Sequence, residues 1–577
     1  MKSSSILNSH HLIRFSLTTF TAVLFVQIQT AVWAAGTVNT CNESALRSAM
    51  AGGGEVHFAC DGTITLANTI TILTDTVLDG SGHGIIIDGS DSLRVFQVVP
   101  NVTVTMLHLT IRNGHTQNGS NGLYGTDGSP GEPGGGFYNS GTLTLCDCVV
   151  SSNRTGNGGY GTTLGMYGPY TAGGAGGPGG GIFNTGTLLL SNCLVSGNST
   201  GYGGAGGGGL TYFPAGGNGG AGGGIYNAGT LYLEKSTICS NSTGYGVRNP
   251  LRGPGANGGM GGGIWTGGIF RGNNSTLNGN ITGYGGQGGP SDMIGGPGGA
   301  GGAGGAIANT GMLVLTNCTF TDNSTGDGGF GGGSVNYSGS PGPAGSGGGI
   351  YNQTNVVLVN CSMANNRAGS GGAELRVAGS GGGIGNVGGV VQLLNTIVAR
   401  NLGNPHDVAG IFPSLGHNLI GTTNGSSGLP ISGDVVGSDN LRLDPKLGPL
   451  ADNGGPTWTM ALLSGSPAID AGKSAGAPAT DQRGVTRPQG PGVDIGAFEY
   501  QYVPVFTGAK FQSATNFWLQ LFGLLPGHAF TLQTSTNLLD WMDATNFVAG
   551  DSGGWEFIDH CPNQCATRFY RLKLSDP

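Results

Sequence analysis

The sequence predicts an all-β chain, a parallel β-helix followed by a small C-terminal β-sandwich, on three observations. Glycine supplies 122 of the 577 residues and only 9% are charged. Each interior helix glycine costs about 1 kcal/mol relative to alanine, which excludes helix-rich folds. Collagen is excluded by the lack of a strict three-residue glycine period and by only 26 prolines. Second, one motif recurs in seven copies. Third, apolar residues inside each copy alternate with period two. Such a unit cannot bury its apolar side alone. Parallel stacking gives each apolar residue its equivalent in the next coil, about 4.8 Å away.

Lys2 and Arg14 precede an apolar stretch around Leu17 to Val26, and Ala31-Val32-Trp33-Ala34 places small residues at a cleavage site. Residues 1–34 are therefore expected to be a signal peptide and the mature protein to be exported. No later stretch is apolar enough to span a bilayer. Removing the two leader cations takes the formal charge from −8 to −10. A mildly acidic chain without a basic stripe argues against nucleic-acid partners.

Residues 35–133 are expected to hold an N-terminal cap and first coils, since Thr63 to Gly89 and Phe96 to Asn113 alternate strongly. Residues 134–404 carry the copies, which open on glycine runs at Gly134, Gly179, Gly222, Gly261, Gly304, Gly347 and Gly381, spaced by 45, 43, 39, 43, 43 and 34 residues. Leu143 and Leu145, Leu188 and Leu190, Leu231 and Leu233, and Leu313 and Leu315 share one face of a short strand. Asparagines mark two corners. One set is Asn139, Asn184, Asn227, Asn309, Asn352 and Asn386; the other is Asn153, Asn198, Asn241, Asn280, Asn323, Asn366 and Asn401. Asparagine tolerates left-handed backbone and, in stacked register, forms hydrogen-bonded ladders. Several lie in Asn-x-Ser/Thr sequons, so glycosylation is the competing expectation. Between patterned segments run glycine-rich inserts, expected to be loops leaving the stack, with Tyr160, Tyr202, Tyr212, Tyr245 and Tyr284 as candidate binding residues.

The GGAI at Gly304 and the FTDN at Phe320 resemble the paired repeat motifs of bacterial polymorphic outer-membrane proteins, which are surface adhesins. The resemblance covers roughly residues 60–404 and implies a right-handed parallel β-helix, a pectate-lyase-like solenoid. Segments of residues 405–500, including LDPKLGPLADNGGPTW and TDQRGVTRPQGPGVDIGAFEY, resemble the choice-of-anchor Q module, which implies closure of the β-helix in an exported bacterial protein. Asp470, Asp481, Arg483, Arg487, Asp494 and Glu499 there are read either as a site or as an ion-pair network. Residues 503–577 resemble a small appended β-sandwich, with Trp541, Phe557, Phe569 and Tyr570 as its expected core or as a sugar platform.

Ten cysteines in an exported chain suggest disulfides, with Cys41–Cys60 and Cys561–Cys565 as candidate pairs. Cys148, Cys193, Cys318 and Cys361 share one repeat position and read as buried thiols or as coil-to-coil bridges.

Catalysis on this fold requires clustered carboxylates. Hydrolases need a pair about 5–9.5 Å apart. Between Gly134 and Arg400 the acids are Asp147, Glu234, Asp292, Asp322, Asp327 and Glu374, with no two placed together by the repeat. The weak catalytic candidates are Asp79, His83, Asp88 and Asp91. No metal and no cofactor is expected. The expected function is an exported, noncatalytic surface or matrix protein that binds polysaccharide or a cell-surface partner through the glycine-rich loops. A polysaccharide lyase or glycoside hydrolase, and a structural spacer, are the alternatives.

Overall fold

The structure is a computed structural model that describes residues 36–575 apart from 163–170, 208–213, 215, 250–252, 293, 335–336, 373–377, 514–515, 551 and 561–566. The expected signal peptide, Tyr212, and the Cys561–Cys565 pair lie outside the described residues. Three parallel sheets of 11, 11 and 12 strands form the three sides of a β-helix. No described helix is long and apolar enough to cross a membrane.

Stacking equivalent residues generates the core. In the first sheet Leu143 pairs in register with Leu188, then Leu231, Phe270 and Leu313. In the second, Ile182, Ile225, Ile264, Ile307 and Ile350 follow one another, and in the third Val150, Val195, Ile238, Leu277 and Phe320 do so. All are buried in one continuous apolar cluster. The fourth copy replaces a leucine pair by Phe270 and Gly272. A Cβ at Gly272 would meet Leu315 Cδ2 at 2.5 Å and Phe270 Cε2 at 3.3 Å, so the missing side chain makes room for the ring.

The glycine run opening each copy has three separate causes, seen at Gly179, Gly180 and Gly181. Gly179 has φ +70°, a left-handed backbone that disfavours other residues. A Cβ at Gly180 would lie 2.3 Å from Gly223 O, and one at Gly181 would lie 3.0 Å from Asn198 Cγ.

At the N-terminal end, strands Gly36–Val38 and Gly54–Phe58 begin the first sheet, and the helix Glu43–Met50 buries Leu46 against the same core. Asn42 caps that helix by accepting from Ala45 N–H. A Cys41–Cys60 disulfide ties the segment down. Cys148, Cys193, Cys318 and Cys361 are free, buried thiols, and burial pushes Cys148 up to about 12. Cys148 and Cys193 donate to the Met106 and Leu145 carbonyls, and Ser236 and Ser275 continue the same position.

Beyond the copies, Val408–Ile411 and Leu419–Ile420 add to the second and third sheets. Residues 457–497 then lie along the outer side of the third sheet. Thr457 Oγ1 donates to Asn274 O, Thr276 Oγ1 to Trp458 O, and Thr319 Oγ1 to Gln482 Oε1. Ala497 N–H donates to Ser362 Oγ one coil beyond Thr319. The C-terminal unit is a pair of three-stranded antiparallel sheets. Its core is Leu521, Leu524, Phe530 and Ala549, which corrects the expected one. Trp541, Phe557, Phe569 and Tyr570 are only half-buried. Trp541 lies under the Arg571 guanidinium, and Tyr570 donates to Asp559. Trp541 and Tyr570 sit at the margins where each reaches a charged partner, and Phe557 stacks on Trp555.

Candidate functional site

The described residues of the glycine-rich inserts are packed structure, in contrast to the loops expected from the sequence. Each leaves the third sheet at a buried asparagine and returns to the second. Burial along them repeats every three residues: Gly156 buried, Asn157 exposed, Gly158 and Gly159 buried, Tyr160 exposed. Their N–H groups bond to neighbouring segments. Gly158 donates to Tyr202 O in the next coil, and Gly159 donates to Ser129 O of a returning segment. Gly174 donates back to Gly159 O, and Gly176 to Asn218 O. A three-residue period with hydrogen bonds between segments and not within them matches polyproline II, and outgoing and returning segments form the two layers of a slab. Glycine is required by close approach: a Cβ at Gly201 would lie 1.9 Å from Gly156 O, and one at Gly244 would lie 1.9 Å from Gly201 O.

Two side-chain ladders root the slab. Asn153, Asn198, Asn241, Asn280, Asn323 and Asn366 each donate Nδ2–H to the next Oδ1 at 2.8–3.0 Å, and Asn401 ends the run on Asp407. Each Oδ1 also accepts the preceding asparagine's backbone N–H, as Asn241 Oδ1 does from Asn198. All are buried, so no glycan can reach them. Their backbone is not left-handed; that conformation belongs to the residue before, such as Ser152, Ser240, Asp322 and Asn365. Sequence reasoning missed a threonine ladder. Thr155, Thr200, Thr243, Thr282 and Thr325 donate to returning glycine carbonyls and accept from Gly201, Gly244, Gly283, Gly326 and Gly369. Its signal was the repeated Asn-x-Thr-Gly, which a sequon reading obscures.

At the other corner Asn139 bonds to Asn184 and Asn184 to Asn227, both at 2.7 Å. Thr266 then replaces asparagine, accepting from Asn227. The run resumes through Asn309, Asn352 and Asn386.

The slab displays Tyr202, Tyr245 and Tyr284 in successive coils, 50%, 46% and 46% exposed. Their rings lie 5.3 and 5.2 Å apart. Burial and the neighbouring phenols raise the Tyr245 pKa, which favours its protonated hydroxyl. Asn157 and Asp327 flank the row in the same register. Tyr160 stands one period further out, its neighbour in the next coil being Ala205. A second row, missed by sequence reasoning, runs along the second sheet: Tyr138, Phe183, Tyr226 and Trp265 are half-buried with centroids 5.1, 4.9 and 4.2 Å apart. Its signal was the aromatic after the GGGI or GGGF openings of the first four copies, Tyr138, Phe183, Tyr226 and Trp265.

The four weak catalytic candidates are not assembled. Asp79 accepts from Ser81 N–H and faces His57, His83 pairs with Asp61, and Asp91 pairs with Arg154. Asp88 pairs with Arg112 at 2.9 Å and also accepts from Asn113 and Ser90. Burial works to raise Asp88, but those hydrogen bonds and the guanidinium hold it below the ordinary carboxylate range. A general acid needs the opposite shift.

The charges of residues 470–499 form a buried network. Arg487 and Glu499 pair at 2.5 Å, both 1% exposed, and Arg483 pairs with Asp481 at 2.7 Å. Asp494, accepting from Asp470 and Tyr500 N–H, is pushed up to about 8, first by burial and then by Glu499. A cleft of about 570 Å³ opens nearby, lined by Asp470, Tyr500, Tyr502 and Phe522.

No protein-family model matches the chain, and no curated protein matches it. Among solved structures it is similar to a tailspike protein mutant of E. coli bacteriophage HK620 in complex with a pentasaccharide. Identity is 11% and the TM-score 0.17, over 92% of this chain and 88% of that one. The fold assignment rests on the three parallel sheets.

Proposed function

We propose that the protein is an exported, noncatalytic surface or matrix β-helix that binds neutral polysaccharide on the tyrosine face of its glycine slab. One observation carries this reading: three exposed tyrosines lined up in successive coils, rings tilted against one another, on a backbone-bonded slab. Aromatic rings with hydroxyl tips and flanking amides supply the apolar and polar contacts a sugar needs, and the base beneath them is ordered before binding. The flanking register positions carry Asn157 and a single acid, Asp327, which suits an uncharged ligand better than an acidic one. The resemblance to polymorphic outer-membrane proteins and to choice-of-anchor Q modules supports the surface location. Catalysis is disfavoured because Asp79, Asp88 and Asp91 are each committed to a different partner.

Titrating the purified protein against panels of neutral and uronate-containing polysaccharides, with parallel measurement of new chain ends, tests the reading. Retention of neutral chains without shortening is expected. Release of fragments would establish the enzyme alternative, and no retention of any chain would leave the spacer.

A further inference from the structure

Glu55, His57 and Asp79 meet on the outer face of the first sheet near its N-terminal end. Glu55 and His57 are two residues apart on Gly54–Phe58, so their side chains leave the same face. Asp79 is the in-register neighbour of His57 on the adjoining strand. The His57 Nε2 lies 3.3 Å from a Glu55 carboxylate oxygen, and Nδ1 lies 3.6 Å from an Asp79 oxygen. One donor atom from each of the three falls within 4.8 Å of the others. Ligands about 2.0–2.2 Å from a tetrahedral ion stand roughly 3.3–3.6 Å apart; one ion takes a single His57 nitrogen, so the carboxylate now facing the other nitrogen must swing round the ring, a shift of side chains already within 4.8 Å. The side chains are 58%, 47% and 20% exposed, which leaves a path for an ion and room for water.

The pairing pattern sets this cluster apart. Of the other acids of the first coils, Glu43 has Arg47, Asp88 has Arg112, Asp91 has Arg154 and Glu132 has Arg94, while Asp61 faces only His83 and Asp75 accepts from Thr103 N–H; two carboxylates on one imidazole distinguish this cluster. Among the described residues, neither Glu55 nor Asp79 pairs with a lysine or arginine. Two carboxylates and one imidazole thus converge without a permanent cation. Imidazole with carboxylate oxygens favours zinc-like ions over calcium or magnesium, which take oxygen ligands alone.

We infer that Glu55, His57 and Asp79 bind one divalent transition-metal ion of the zinc type, with water completing its shell. The sequence signal was Glu-x-His on a strand with an aspartate in register beside it. Calorimetric titration of the full mature chain with zinc chloride tests this, alongside His57→Ala, Asp79→Asn and His83→Ala, the last removing a different histidine–aspartate pair. Wild type and His83→Ala are expected to take up one equivalent and to melt at higher temperature with zinc than without. His57→Ala and Asp79→Asn are expected to bind at least tenfold more weakly, with circular dichroism unchanged. Uptake should weaken on acidification as protons compete for the ligand atoms. Uptake by His57→Ala equal to wild type, or no uptake by wild type, would overturn the inference. Neither result bears on sugar retention by the tyrosine face, which uses other residues.

Discussion

A buried asparagine in this chain does the work of two backbone partners. The Asn241 Oδ1 accepts both the backbone and the side-chain N–H of Asn198, while its own Nδ2 donates to Val195 O and to Asn280. Replacing it by alanine strands the Asn198 backbone N–H and one of its two Nδ2 hydrogens in a buried site, the other still reaching Val150 O. Each orphaned buried group costs about 1–3 kcal/mol, so Asn241→Ala should lose about 3 kcal/mol in urea unfolding. Asn157→Ala, at an exposed slab position, should change stability far less. The ladder positions were legible because they recur at the repeat spacing. Their backbone role was not: left-handed φ belongs to Ser152 or Asp322, one residue earlier, and a single sequence does not reveal which of two adjacent polar residues turns inward. The threonines were lost for a related reason, since Asn-x-Thr fits a modification motif and a hydrogen-bond ladder equally well.

At the scale of elements, the slab holds the least expected chemistry. Strand and helix readings depend on side-chain periodicity, and the slab has almost no side chains. Its buried period of three is written in glycine and covered by neighbouring backbone, so hydrophobic patterning returns nothing. Gly244→Ala tests the packing, because its Cβ would fall 1.9 Å from Gly201 O. Overpacking of this kind costs about 1–3 kcal/mol. Hydrogen exchange should quicken along 198–207 and 241–249, whose N–H groups bond mostly to the neighbouring coils, while the strands Leu194–Ser196 and Thr237–Cys239 keep their protection. Unchanged exchange would mean that the inserts pack loosely. The three-sided stack itself was plain from Leu143 to Leu315, because those leucines alternate and their copies align in register.

Across the whole molecule, two buried carboxylates set the pH response. Asp407, which terminates the asparagine ladder, is raised to about 6, chiefly by burial, and Asp494 is raised to about 8. An acid with a higher pKa folded than unfolded supports the fold below the unfolded value, about 4, and that support is lost as pH rises through the folded value. The melting temperature should therefore fall from pH 5 to pH 8.5, and Asp494→Asn should flatten the upper part of that fall. A melting temperature rising over pH 6–8 would contradict the assignment. The buried pair Arg487–Glu499 gives the same region a second handle. Glu499→Gln leaves a guanidinium uncompensated, and breaking such a pair costs about 3–5 kcal/mol. The dense charges of residues 470–499 were visible in so neutral a chain. That they pack against the flank of the third sheet was not, because the contacts to Asn274, Thr276 and Thr319 join residues some 160–200 positions apart.

The central claim is that the slab exists to hold the tyrosine row. The most direct measurement is the affinity for the best-retained neutral polysaccharide of a variant carrying Tyr202→Ala, Tyr245→Ala and Tyr284→Ala together, with its melting temperature recorded. Half-exposed rings contribute little to the core, so the account predicts a near-native melt with binding weakened at least a hundredfold, about 2.7 kcal/mol. Full binding by the folded triple variant would contradict it.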